Sequence, residues 1–137
     1  MELRTLDSLA VAAALLAAQQ LPTDDLDDPT ITLVGAFMDD TLVGVIGLQV
    51  CDDVTLLRSL AVDPAHRDRG IAAALCERVF VLAGARDLYL LTESADSYFA
   101  RLGFEPVERE SVPAAIRTTA QFSALCPSSA RLMRRVR

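Results

Sequence analysis

The chain has 137 residues, 52% of them apolar and 23% charged, which suits one globular domain and excludes a disordered segment. The net charge of −6 is unevenly spread: residues 1–65 carry eleven acids against two arginines, and residues 66–137 carry eight acids against eleven arginines. This balance speaks against a uniformly basic nucleic-acid binder and leaves room for a small anionic ligand in the second half. All 13 basic residues are arginine, so neither a Schiff-base lysine nor a phosphate-loop lysine is available.

Cys51, Cys76 and Cys126 are widely spaced, odd in number and without a CxxC pair, and His66 is the only histidine. No disulfide framework and no metal site are expected, and a reduced, cytoplasmic setting follows. The longest apolar run, residues 9–18, is too short to span a bilayer as a helix, and no basic stretch precedes it. Neither a membrane nor a nucleic acid is expected as a partner.

In chain order, residues 1–4 read as a first strand. Thr5 or Ser8 can cap a helix to about Gln20, stopped by Leu21 and Pro22, and an acidic loop follows through Asp28. Residues 32–38, 42–50 and 54–62 form an antiparallel meander with turns at Asp39-Asp40 and Asp52-Asp53. Gly44 and Gly47 inside the second of these strands mark a bulge or a close backbone approach. Asp63 and Pro64 end the meander. A helix follows over 71–83 with Gly84 as its stop, then a nearly all-apolar strand over 87–92. Ser94 or Asp96 caps a shorter helix through Leu102, and 104–107 is extended. A helix near 116–125 is opened by Pro113 and broken by Cys126-Pro127, and 131–136 is a last strand. Residues 1–137 thus read as one α/β domain of mixed connectivity.

The stretch from Leu57 to Ala72 carries the chemistry: a strand, a tight loop and a helix start. Unpaired backbone N–H groups and the positive end of a helix dipole converge there, and such a point binds phosphate. Gly70, Ala72 and Ala73 allow close approach, and Arg67 and Arg69 can reach phosphate oxygens. Taken alone, the loop fits equally well an ordinary strand-to-helix turn with solvated arginines.

Arg67-x-x-Gly70-x-Ala72 matches the Q/R-x-x-G-x-G/A signature of the GNAT acyl-CoA N-acetyltransferases, and the run Ala95-Asp96-Ser97-Tyr98-Phe99-Ala100-Arg101-Leu102-Gly103-Phe104 resembles their later helix, which closes on Gly-Phe. The resemblance extends over essentially the whole chain. It implies a single domain with a mixed, mostly antiparallel sheet of about six to seven strands flanked by helices. It also implies a splayed cleft for acetyl-CoA, used as co-substrate. Pantetheine would pair with Leu60, Ala61 and Val62. The pyrophosphate would rest on the amides of Arg67, Asp68, Arg69, Gly70, Ile71 and Ala72, with Ala73 beside them. A neutral amine would attack the thioester directly, without an acyl-enzyme.

Two departures bear on catalysis. Many relatives place a tyrosine acid four residues before the glycine of the Gly-Phe pair, where this chain has Phe99; Tyr98 lies about 100° round the helix. Tyr98 serves as the acid or else packs or contacts substrate. Some relatives carry a glutamate base on the central strand, where this chain has Leu56, so Glu93 is the best remaining carboxylate, with relay through water as the alternative. Arg58 and Ser59 flank the same cleft as candidate substrate contacts.

The C-terminal run Ile116-Arg117-x-Thr119-Ala120-x-Phe122, followed by Leu125-Cys126-Pro127-x-Ser129, is similar to the GNAT subgroup of N-acetyltransferases of arsenic-resistance gene clusters. That subgroup in turn resembles the acetyltransferase domain of N-acetylglutamate synthase. The likeness implies a small, amino-acid-like acceptor, with Arg117 facing its carboxylate, Ser129 adding a hydrogen bond and Cys126 facing the site or merely packing. The aspartates of the 23–28 loop would favour a cationic amine at the entrance. Two alternatives remain: an acyl-CoA sensor or partner protein with weak catalysis, and a binding module using Arg131, Arg134, Arg135 and Arg137. A homodimer is common in the family, and no feature of the sequence requires one.

Overall fold

A computed structural model describes residues 1–122 and 129–136. Strands Glu2–Thr5 (β1), Ile31–Met38 (β2), Thr41–Cys51 (β3) and Val54–Val62 (β4) pair antiparallel in succession. Asp87–Thr92 (β5) runs parallel to β4. Arg131–Arg135 (β7) inserts between β5 and Glu105–Pro106 (β6), antiparallel to both, so the sheet order is β1-β2-β3-β4-β5-β7-β6. The sheet therefore has seven strands, and β4–β5 is its one parallel pair. Asp39 and Asp40 both have positive φ, the geometry of a two-residue hairpin turn whose twist matches the strands it joins.

Helix Ile71–Ala83 (α2) covers one face of the sheet. Its buried Ile71, Leu75, Cys76, Val79, Phe80 and Ala83 repeat at helical spacing and join Ile46, Leu57, Leu88 and Leu90 in the largest core cluster. Each large apolar side chain so buried contributes about 1.5–3 kcal/mol. Helix Asp96–Arg101 (α3) adds Phe99 to the same cluster. Its start differs from expectation. Ala95 holds the N-cap position, and the Ala95 N–H donates to Thr92 Oγ1 at 3.0 Å, so a threonine on the preceding strand replaces Ser94 or Asp96 as the partner.

Helix Leu9–Ala18 (α1) packs on the other face, with Ala12 and Leu16 against Leu33, Val45 and Ala61. Its alanine-rich sequence is strongly helix-forming. It ends in a Schellman turn: Leu21 N–H bonds the Leu16 carbonyl, Gln20 N–H bonds the Ala17 carbonyl, and Gln20 has φ +61°. The short helix Ala114–Arg117 (α4) buries Ile116 against Leu56, Tyr89 and Leu132 on the same face as α1. Residues 123–125 of the helix expected near 116–125 lie outside the described residues.

Two irregularities shape β4. Val45 faces Ala61 and Gly47 faces Arg58, so Ser59 and Leu60 together oppose Ile46 in a β-bulge, with Ser59 at φ +59°. The extra residue reverses the inward alternation: Leu56 lies on the α4 face and Leu57 on the α2 face, whereas Ala61 lies on the α1 face and Val62 on the α2 face. Register with β5, moreover, stops at Leu56 opposite Tyr89, although both strands run on. The sheet splits open between them.

Arg58, next to the bulge, is 2% exposed. A side chain at Gly47 would bring a Cβ to 3.1 Å from Arg58 Cγ and from Leu33 Cδ2, so only glycine lets the Arg58 stem cross there. The guanidinium forms a two-pronged pair with Asp25, at 2.5 Å from Nη1 and 2.6 Å from Nη2. Its Nε donates to Ser59 Oγ at 3.1 Å and Nη1 reaches Gln49 Oε1 at 3.4 Å. Gln49 donates on to Thr30 Oγ1 at 3.2 Å, and Thr30 donates to Asp28 from its N–H at 2.9 Å and its hydroxyl at 2.7 Å. The Thr30 hydrogen bonds hold the Asp28 carboxyl below its ordinary pKa. Together these contacts strap the segment after α1 onto β3 and β4.

A buried ion pair broken on one side leaves an uncompensated charge. Asp25→Ala is therefore expected to cost about 3–5 kcal/mol in urea unfolding. A loss under about 1 kcal/mol would show the pair behaving as a solvated surface bridge.

Candidate active site

The gap between β4 and β5 opens into two cavities. The larger, about 490 Å³, lies against Arg58, Ser59, Leu60 and the end of β5, and includes Glu93 and Tyr98. The second, about 420 Å³, lies against Leu60, Ala61 and Val62 and the loop and helix start at residues 66–73. Gln19, Leu60 and Tyr98 line both, so the two spaces meet there. Among the described residues, three of the six non-glycine residues with positive φ, Gln20, Ser59 and Asp68, line these cavities; the others, Asp39, Asp40 and Asp52, sit in hairpin turns. Strained backbone concentrated at a cleft is characteristic of functional sites.

The loop after β4 is built for close approach. The Asp63 carboxylate accepts the Ala65 N–H at 2.9 Å, fixing a 3-10 turn over Pro64–His66. Asp68 and Gly70 then take φ +64° and +77°. Gly70 is the N-cap of α2, and no atom lies within 4 Å of where its Cβ would be. With no side chain there, the first turn faces the open cavity. The first helical bond runs from Ala74 N–H to the Gly70 carbonyl at 3.0 Å, so the N–H groups of residues 71–73 have no helical carbonyl to bond. Free donors at the positive end of a helix dipole are the chemistry that suits an anion. Arg67 lies alongside, its Nε 3.4 Å from the Val62 carbonyl.

Leu60, Ala61, Val62, Arg67, Asp68, Gly70, Ile71, Ala72 and Ala73 all line the second cavity, while Arg69 is exposed and does not. Arg58, Ser59, Glu93 and Tyr98 line the larger one. Arg117 and Ser129 are exposed and line neither; the Arg117 guanidinium donates to the Val112 carbonyl at 3.1 Å. Cys126 lies outside the described residues. Of the aspartates expected to draw in a cation, Asp25 is committed to Arg58 and Asp28 to Thr30, leaving Asp24 and Asp27 exposed.

Tyr98 is half-buried at the junction of the cavities, whereas Phe99 is buried among Tyr98 and Phe104. Burial raises the Tyr98 phenol above its ordinary pKa and Cys76 nearby adds to this, partly offset by Arg101, whose guanidinium stands 5.8 Å from the ring centroid. The phenol thus keeps its proton throughout the neutral range and can donate it. Several lining residues carried no signal in the sequence: Gln19 and Gln20 at the end of α1, Leu21 and Pro22 beyond it, and the buried Gln121. The Schellman turn that aims the first four depends on Gln20 adopting a conformation more usual for glycine.

An open α/β sheet that splits beside a phosphate-ready helix start is an acyltransferase architecture, and the comparisons with known proteins agree. The model of the acetyltransferase (GNAT) family matches residues 5–104, and the chain belongs to that family. Among solved structures it is similar to N-acetylglutamate synthase from Neisseria gonorrhoeae in complex with coenzyme A and N-acetyl-glutamate. The identity is 21% and the TM-score 0.80, over 98% of this chain and 34% of that one. This chain thus spans about a third of that enzyme's length. It is also similar to a GNAT-family acetyltransferase of Staphylococcus aureus (18% identity, TM-score 0.77, 98% of both chains). The Mycobacterium tuberculosis protein Rv2747, solved with CoA, is comparable (22% identity, TM-score 0.76, 100% of this chain and 99% of that one). No curated protein matches the chain. Among the described residues, no helix is long and apolar enough to cross a membrane.

Among the described residues, Cys51 and Cys76 are buried and line neither cavity. Burial pushes Cys51 up to about 11, with Asp52 adding to it, and Cys76 up to about 12, with Glu77 adding to it. At pH 8 only about one Cys51 thiol in a thousand, and fewer for Cys76, would be thiolate. Iodoacetamide at pH 8 is expected to leave both unmodified in the native protein and to label both after denaturation, as read by peptide mass mapping. Rapid native labelling of either would show local opening instead.

Proposed function

We propose that the protein transfers the acetyl group of acetyl-CoA to the amine of a small, amino-acid-like acceptor. The observation that carries this reading is the split sheet, whose two cavities meet at Leu60 and Tyr98. One cavity has the helix start and Arg67 for a pyrophosphate and a free strand edge for an extended arm. The other is roomy enough for an amino acid and has Glu93 at its rim.

In this reading pantetheine lies along Leu60, Ala61 and Val62, bringing the thioester to the junction. The neutral amine attacks the thioester carbon, and the developing oxyanion is met by backbone N–H groups at the bulge. The amine loses its proton to water, which Glu93 can accept in turn. The carbon–sulfur bond breaks, and Tyr98 protonates the leaving thiolate. Ser59 and Gln121 stand where they can contact the acceptor. Arg58 shapes its cavity through Asp25 rather than by an open guanidinium. Arg117 and Ser129, which line neither cavity, have no part in this reading. The structural likeness to N-acetylglutamate synthase and the C-terminal likeness to the arsenic-cluster subgroup support an amino-acid-type acceptor, and the subgroup's arsenic link stays a proposal.

Acetyl-CoA at saturation is expected to raise the melting temperature, and free-thiol release over a panel of amino acids and their decarboxylated amines to show turnover. Stabilisation without turnover on any amine would favour an acyl-CoA sensor. Tyr98→Phe is expected to lower kcat on the order of a hundredfold, with the KM for acetyl-CoA changed by less than about threefold. An unchanged kcat would remove Tyr98 from the proton path. Gly70→Val, which combines a strained φ with a side chain in the anion site, should raise that KM by more than about tenfold. An unchanged KM would refute the pyrophosphate placement.

A further inference from the structure

Gln19 is the C-cap residue of α1, yet its side chain reaches β4, where Nε2 donates to the Val62 carbonyl at 2.7 Å. That carbonyl is on the open edge of the strand. Asp63 N–H bonds the Val43 carbonyl at 2.8 Å and Val62 stands opposite Gly44, so in the alternating antiparallel ladder the polar groups of Val62 turn away from β3. On that side β5 has already parted company, at Leu56. An arm adding itself to β4 as an extra strand has to bond this carbonyl. In the structure it is already engaged by Gln19 at 2.7 Å and, more weakly, by Arg67 Nε at 3.4 Å. A carbonyl oxygen offers two lone pairs, so the arm's amide must displace one of these donors. Gln19 holds the stronger bond and is one of the residues that line both cavities.

We propose that the Gln19 carboxamide is a placeholder for a pantetheine amide and becomes an acceptor-binding group once displaced. In the empty protein it occupies the Val62 carbonyl. When the arm binds, the arm's N–H takes that carbonyl and the Gln19 side chain swings into the larger cavity. There its carbonyl oxygen can accept from an ammonium or amine, and its NH₂ can donate to a carboxylate, which are the two groups of an amino-acid-like acceptor. Its position past the last turn of α1, beside Gln20 at φ +61°, gives the side chain this freedom without moving the helix. The acceptor site is therefore complete only after the cofactor is in place, which couples the two binding steps. This inference rests on the acetyltransferase reading above.

The test uses the full chain, CoA as the probe and isothermal titration. Gln19→Met keeps the side chain's length and removes its hydrogen bonding, and Gln19→Ala removes both. Both variants are expected to bind CoA about two- to tenfold more tightly than the parent, because a competing hydrogen bond is gone. In turnover, both should show a raised acceptor KM of similar factor with kcat little changed. In the parent protein, the side-chain NH₂ resonances of Gln19 should shift on addition of CoA. CoA affinity equal to or weaker than the parent's in the Met variant, or Gln19 resonances unmoved by CoA, overturns the placeholder and leaves the acetyltransferase reading standing. A parent protein that fails to bind CoA at all overturns both.

Discussion

Strand β4 keeps β5 beside it only as far as Leu56, and from there its outer edge is free. An unpaired strand edge in a folded domain exposes backbone donors and acceptors that seek partners, and such edges are normally blunted or covered. Here the edge is walled on either side by α1 and α2, and the Gln19 side chain covers one of its carbonyls, that of Val62. The bulge at Ser59 makes that opening usable. By inserting one residue it turns Val62 toward α2 and Ala61 toward α1, so both helices still find an apolar strand face to pack on beyond the split.

The bulge needs support, since Ser59 sits at φ +59° without being glycine. Its hydroxyl accepts from Arg58 Nε, and Arg58 is held in turn by Asp25. A buried ion pair is a poor source of net stability, because desolvating both charges offsets most of their attraction. Its value lies in geometry: a planar guanidinium fixes two carboxylate oxygens, a hydroxyl and a glutamine at once. The segment carrying Leu21 and Pro22 is thereby set as a wall of the larger cavity. The pair thus links the strand irregularity to the shape of the larger cavity.

Most of the fold was legible in the sequence because its signals are local. Period-two runs, Asp-Asp turns and glycine stops placed every strand and the two long helices within a residue or two. The turn into α2 was legible for the same reason, since a glycine and small residues at a helix start are written consecutively at positions 70–73. What the sequence hid depends on contacts across the fold. Arg58 reads as an open cleft cation until Asp25, 33 residues away, is seen to hold it. Tyr98 stands one residue before the buried Phe99, and only the packing of Phe99 beside Phe104 shows that its neighbour turns to the junction of the cavities. Gln19 had no signal at all, because an α-helical C-cap turn with glutamine in the left-handed position follows no common pattern.

The asymmetry of charge along the chain takes on a different meaning once the arginines are located. Among the described residues, Arg67 is the one arginine of the second half that lines the cavity at the start of α2. The guanidinium of Arg135 lies 3.9 Å from the Phe80 ring centroid, and its Nε bonds the Leu102 carbonyl at the end of α3. Arg109 stacks on Phe122 and bonds the Ala130 carbonyl, while Arg131 pairs with Asp96. These are uses for a flat, weakly hydrated cation, and an ammonium would serve them poorly. Three of the arginines after residue 66, Arg109, Arg131 and Arg135, thus tie β7 and the segments beside it to their neighbours. Anion binding at the cleft would rest instead on the backbone N–H groups at the start of α2, with Arg67 as the added charge. The decisive feature there is the shape of the turn from Asp63 to Gly70, and net charge is secondary to it.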